Sequence, residues 1–135
     1  MPLSDYAEKK VNDLLFGAVA LSAPANYYVA LLTAAPDGSN TVVEADYGSY
    51  ARQPIANGKV NFSNAANDGN ATITNNVEIR FPTNTLNTNT ITHVALMDAV
   101  TGGNVWAYGA LGVSKVYAVG DRPVFEVNSL SFTVD

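Results

Sequence analysis

The sequence predicts an all-β fold, an antiparallel jelly-roll-like β-sandwich preceded by one short α-helix. Three observations carry this expectation. Helical spacing of apolar residues occurs once, at the N-terminal end. From Pro36 onward, turn chemistry recurs at roughly 8- to 12-residue spacing, as a chain of short strands requires. Between the turns, apolar and polar residues alternate with the strand period of two.

Taken in order, residues 4–16 (SDYAEKKVNDLLF) place Ala7, Val11, Leu14 and Leu15 at helical spacing. Ser4 is the expected N-cap, Asp5 and Glu8 favour the first turn through the helix dipole, and Gly17 lies just past the end. After a connector ending at Pro24, the Tyr, Val and Leu content of NYYVALLT favours a buried strand. Turn signals follow at Pro36-Asp37-Gly38, Tyr47-Gly48-Ser49, Asn57-Gly58, Asn67-Asp68-Gly69-Asn70, Asn75-Asn76, Gly102-Gly103-Asn104 and Gly120-Asp121. About seven to nine strands fit between them. Asn57-Gly58 is a type I′ hairpin signal between ARQPI and KVNF, with Pro54 confining the first of these strands to an edge or a bulge. Val77, Ile79 and Phe81 alternate with Glu78 and Arg80, and Leu130, Phe132 and Val134 with Ser131, Thr133 and Asp135. Each of these two strands therefore has one wet face. ITHVALMDA and VWAYGALGV are apolar on both faces and are expected as central strands joined in a hairpin. One domain over residues 1–135 is expected, with the helix at 4–16 and the sandwich at 26–135.

Composition limits what such a domain can do. The chain has 135 residues, 47 % of them hydrophobic and 14 % charged, and its mean hydropathy is +0.05. It is too apolar and too weakly charged for intrinsic disorder. Net charge is −5, and the basic residues Lys9, Lys10, Arg52, Lys59, Arg80, Lys115 and Arg122 are scattered, so no nucleic-acid partner is expected. No signal peptide is read at Met-Pro-Leu-Ser-Asp, and the apolar-leaning stretch from Leu14 to Leu32 is too interrupted for a membrane span. A soluble protein without membrane contact is expected. There is no fibre-like repeat in the chain.

No residue set carries chemistry, so no catalytic, cofactor or metal residue is nominated. The one histidine, His93, lies within a strand beside Ile91, Ala95 and Met97, which suits packing better than general-base work. One histidine and no cysteine cannot supply a zinc site. The loops Asp37-Gly38-Ser39-Asn40 and Asp68-Gly69-Asn70 lack the spacing of a calcium loop and read as Asx turns. No phosphate-cradling glycine motif occurs. Twelve acidic residues always permit some carboxylate pair, so the surface reading is preferred over a small hydrolase. The sequons Asn61-Phe62-Ser63 and Asn70-Ala71-Thr72 read as accidental in an Asn-rich chain. Tyr27, Tyr28, Tyr47, Tyr50, Trp106, Tyr108 and Tyr117 are read mostly as packing, with a glycan- or protein-binding surface as the competing role. Arg52, a lone charge in an apolar strand, is expected to have a carboxylate or carbonyl partner.

The segments YYVALLTAAPDG, YGSYARQPI, NNVEIRFPTNT and ITHVALMDAVTGGNVWAYGAL, then Lys115 to Gly120 and the closing LSFTVD, resemble a family of small tailed-bacteriophage virion proteins commonly labelled tail fibre or structural proteins. The likeness spans nearly the whole chain and rests on motif order, notably Ala30 to Pro36, Tyr50 to Arg52 and His93 to Gly103. The chain departs from the pattern in its Asn- and Thr-rich middle, between Asn61 and Thr92.

The resemblance implies a non-enzymatic virion component without cofactor, assembled in the host cytoplasm, present as a homo-oligomer and acting by contacts with the major capsid protein or other virion proteins. Capsid decoration, as a cement protein, is the expected role. The alternative is a tail-fibre or baseplate-associated protein that contributes to host receptor or glycan binding. The residues expected at interfaces are Val11, Leu14, Leu15, Tyr50, Arg52 and Trp106.

Overall fold

The structure is a computed structural model that describes residues 1–37, 41–64 and 72–133. It is all-β with one N-terminal helix, and its sheets are antiparallel. In chain order the elements are α1 (Asp5–Phe16), β1 (Asn26–Leu32), β2 (Gln53–Ala56), β3 (Phe62–Asn64), β4 (Thr72–Asn75), β5 (Ile79–Arg80), β6 (Asn89–Met97), β7 (Val105–Tyr117), β8 (Val124–Phe125) and β9 (Ser131–Thr133). They form a four-stranded sheet ordered β2-β1-β6-β7, a three-stranded sheet β3-β4-β9 and a two-stranded pair β5-β8.

The helix begins where its cap predicts. Ser4 Oγ accepts from the Ala7 N–H at 3.2 Å and also donates to the Val105 carbonyl, so one hydroxyl starts the helix and ties it to β7. At the other end the N–H groups of Gly17 and Val19 both reach the Asp13 carbonyl at 3.0 Å. A Cβ on Gly17 would stand 2.9 Å from that carbonyl oxygen, which is why glycine ends the helix here. Ala7 is the helix's one buried residue.

The main core lies between the four-stranded sheet and the two smaller ones. Val29, Leu31, Ile55, Val94, Leu96 and Ala107 meet Phe62, Leu130 and Phe132 on one side and Ile79, Phe81 and Phe125 on the other. The opposite face of β1 and β6 is buried as well, in a second cluster of Ala30, Leu32, Ala95, Met97 and Val105. β1 and β6 are thus apolar on both faces because both faces are covered. The alternation at Val77–Phe81 is real, with Ile79 and Phe81 buried and Glu78 and Arg80 exposed, although only Ile79 and Arg80 pair, with β8.

Two expectations need correction. Asn57-Gly58 does not close a hairpin: β2 pairs with β1 and β3 with β4, so this turn carries the chain from one sheet to the next. Gly58 (φ 144°) accepts from the N–H groups of Asn61 and Phe62 there. Pro54 does sit on an edge strand. β6 is central, but β7 forms the sheet's other edge. The Asn-rich middle is partly interior: Asn75, Asn84 and Asn89 are buried. Asn75 binds the Val77 and Glu126 carbonyls and the Leu130 N–H, and Asn84 the Asn87 and Tyr117 carbonyls and the Leu86 N–H, at 2.6–3.0 Å. Short amides that donate and accept at once fasten these loops from within. The loops at 38–40 and 67–70, and the alternation at residues 134–135, lie outside the described residues.

The first four residues close the molecule along β7. Leu3 bridges Ala107, the Ser4 N–H donates to the Trp106 carbonyl at 2.9 Å, and Met1 exchanges backbone hydrogen bonds with Ser131 and Thr133 of β9. This segment connects the edges of two sheets and covers backbone groups that an edge strand would otherwise expose.

Candidate functional site

Three of the residues expected at interfaces are occupied inside the chain. Arg52, only 6 % exposed, donates from Nε and Nη2 to the two oxygens of Glu44 at 2.9 and 2.8 Å. Its Nη1 reaches the carbonyls of Ala99 and Gly102 at 2.7 and 2.8 Å. Arg52 thus has both kinds of partner expected of it. Tyr50 donates its hydroxyl to Glu44 at 2.8 Å, accepts from the Leu31 N–H at 3.1 Å and stacks on Phe81. Trp106 donates from Nε1 to Asp98 at 3.1 Å and meets the rings of Tyr6 and Tyr27 edge-on.

These contacts set the local electrostatics. Burial would raise the Glu44 carboxyl, but the hydrogen bonds from Arg52 and Tyr50 outweigh it and hold the group below its ordinary range. Asp98 is likewise lowered: burial opposes, while the Asn104 backbone and side chain and the Trp106 indole prevail. Burial, then the Glu44 charge, pushes the Tyr50 phenol far up, and burial raises Tyr47 to about 12. His93 touches Thr92 Oγ1 through Nδ1 at 2.8 Å. Among the described residues no three His, Asp or Glu side chains gather as a metal site.

The helix residues are placed differently. Val11 is half-buried, Leu14 is 44 % exposed and Leu15 64 % exposed. Beyond them Phe16 is 86 % exposed, and Val19 is also exposed. Sequence reasoning missed Phe16 and Val19 because they fall at and past the last helical position, where spacing no longer defines a face. Of the chain's aromatic residues Phe16 alone is exposed; the others are buried or half-buried. Scattered single apolar residues on a surface are ordinary, whereas four within six positions concentrate apolar surface at one helix end.

A second apolar feature opens at the corner between β2 and β3. A cavity of about 380 Å³ is lined by the rings of Tyr27, Phe62, Trp106 and Phe132 with Leu3, Ile73, Leu96 and Ala107, and Asn57, Gly58 and Lys59 stand at it too. Nothing would meet a Cβ on Gly58, so this corner is open to solvent.

What these features define is a small antiparallel β module that carries one apolar helix end and one aromatic-lined cavity on its outside. Residues 2–133 match the family described as podophage GP4 fiber I protein gp80, and the chain belongs to that family of phage virion fibre proteins. No curated protein matches the chain.

Proposed function

We propose that this protein is a structural part of a podophage fibre and acts through protein contacts, without catalysis. The observation that carries this reading is the family match over residues 2–133, whose description names a fibre. The decoration role expected from the sequence has no such support, so the fibre role takes its place as the leading reading. Assembly with other virion proteins, and with further copies of itself, follows from a fibre's need to repeat and to be attached.

The number of copies per purified particle, measured by quantitative mass spectrometry against the major capsid protein, separates the roles. A small number of copies per particle supports the fibre role. A ratio near parity with the capsid protein would restore decoration. In the same particles a folded Leu14→Asp protein is expected to be incorporated poorly, since it places a charge within the exposed helix patch.

A further inference from the structure

We propose that copies of this chain associate head to tail, the Leu15–Phe16 end of α1 in one copy seating in the aromatic-lined cavity of the next. The inference rests on the fibre reading and deepens it by naming one partner, a second copy.

Three observations bring the two surfaces together. They match in chemistry: Leu15 and Phe16 project from the helix end, 64 % and 86 % exposed, while the cavity presents four aromatic rings. Edge-to-face packing of a fifth ring continues the arrangement already made by Tyr27, Phe62, Trp106 and Phe132. They match in size, since about 380 Å³ lies at the lower end of the roughly 300–1,000 Å³ that encloses a small ligand, enough for these two side chains.

They also match in charge. The carbonyl end of α1 is the negative end of its dipole, no basic residue stands in its last turn, and Lys59 waits at the cavity. In a head-to-tail arrangement the contact is heterologous, and repeated it yields a closed ring or an open filament. Within one copy the same contact is not made: the cavity is lined by Leu3 and Trp106, beside the start of α1, and Phe16 lies at the far end of a 12-residue helix.

Sedimentation velocity of the full chain, between roughly 5 and 500 µM, tests this together with the emission of Trp106. Trp106 is the single tryptophan and lines the cavity, so it reports seating there and not a contact elsewhere. The expected result is concentration-dependent association with a parallel shift in Trp106 emission. Phe16→Asp should weaken association at least about tenfold and remove the shift, and Lys59→Glu should weaken it roughly fivefold. Both residues are exposed, so neither variant endangers folding. A chain that stays monomeric throughout overturns the proposal. So does association that survives Phe16→Asp, or that proceeds with no change at Trp106, as helix-to-helix packing would. The fibre reading fails separately, on copy number in the virion.

Discussion

Arg52 shows how much one residue can organise in a small domain. Its guanidinium joins Glu44, which follows β1, to the carbonyls of Ala99 and Gly102 in the turn between β6 and β7. A planar fork suits this, because two nitrogens face a carboxylate while a third turns to backbone oxygens. Replacing it removes the guanidinium from Glu44, which keeps only the Tyr50 hydroxyl of the donors described above, and from two carbonyls. Arg52→Ala is therefore expected to cost about 3–5 kcal/mol of stability in a urea titration. A loss under about 1 kcal/mol would mean that water replaces the guanidinium without penalty. The role is structural, and the same position would have been a poor contact for a partner, since it is not at the surface.

At the scale of elements, the turn between β6 and β7 explains the residues written Asp98-Ala99-Val100-Thr101-Gly102-Gly103-Asn104. Asp98 accepts from the Asn104 N–H at 2.7 Å, from its side chain at 3.0 Å and from the Trp106 indole at 3.1 Å. Both glycines have positive φ, 61° at Gly102 and 76° at Gly103. They differ in space. A Cβ on Gly102 meets nothing, whereas one on Gly103 would collide with Asp98 Oδ1 and come within 2.7 Å of the Ala99 Cβ. Gly102→Ala is expected to cost about 1 kcal/mol, from backbone strain alone. Gly103→Ala should cost about 3 kcal/mol, since it must also displace the aspartate. Thermal unfolding of the two variants checks the order, and equal losses would show that the Asp98 contacts are readily given up. The helix contrasts with this turn: its first half is held by Ser4, Ala7 and the Tyr6–Trp106 contact, while its last turn touches little and is left for others to cover.

For the whole molecule, the shifted groups predict a stability plateau with two edges. Glu44 and Asp98 have folded-state values below their ordinary 4.5 and 3.8. The folded state therefore holds fewer protons than the unfolded one as pH drops through that range, and the stability present above it is lost in acid. Tyr27, Tyr47, Tyr50 and Tyr117 are raised above 10.0, so the contribution present below pH 10 is lost as pH rises beyond it. Tm measured against pH is expected to be level through neutrality, falling below about pH 4 and again above about pH 10. A midpoint of loss near pH 6 would contradict it.

Sequence alone determined the class of fold, the helix with its serine cap and the central place of β6, while β7, expected beside it as a second central strand, is an edge. It also carried the family, through the order of short motifs. These follow from spacings of two to four residues and from turn chemistry, which are local properties of a chain. Tertiary structure decided the rest. Which sheet receives the chain after Asn57-Gly58 depends on partners that sequence spacing does not name, and the hairpin signal was overridden there. The burial of Arg52 depends on a carbonyl 50 positions away, and the closing of β7 on contacts between Met1 and β9. Trp106 and Tyr50 were legible as large rings that some surface must cover, but the fold itself covers them. Phe16 was overlooked at the helix end and is the ring left outside. Local patterns say what a residue wants to be near, and only long-range packing says whether its own chain supplies it.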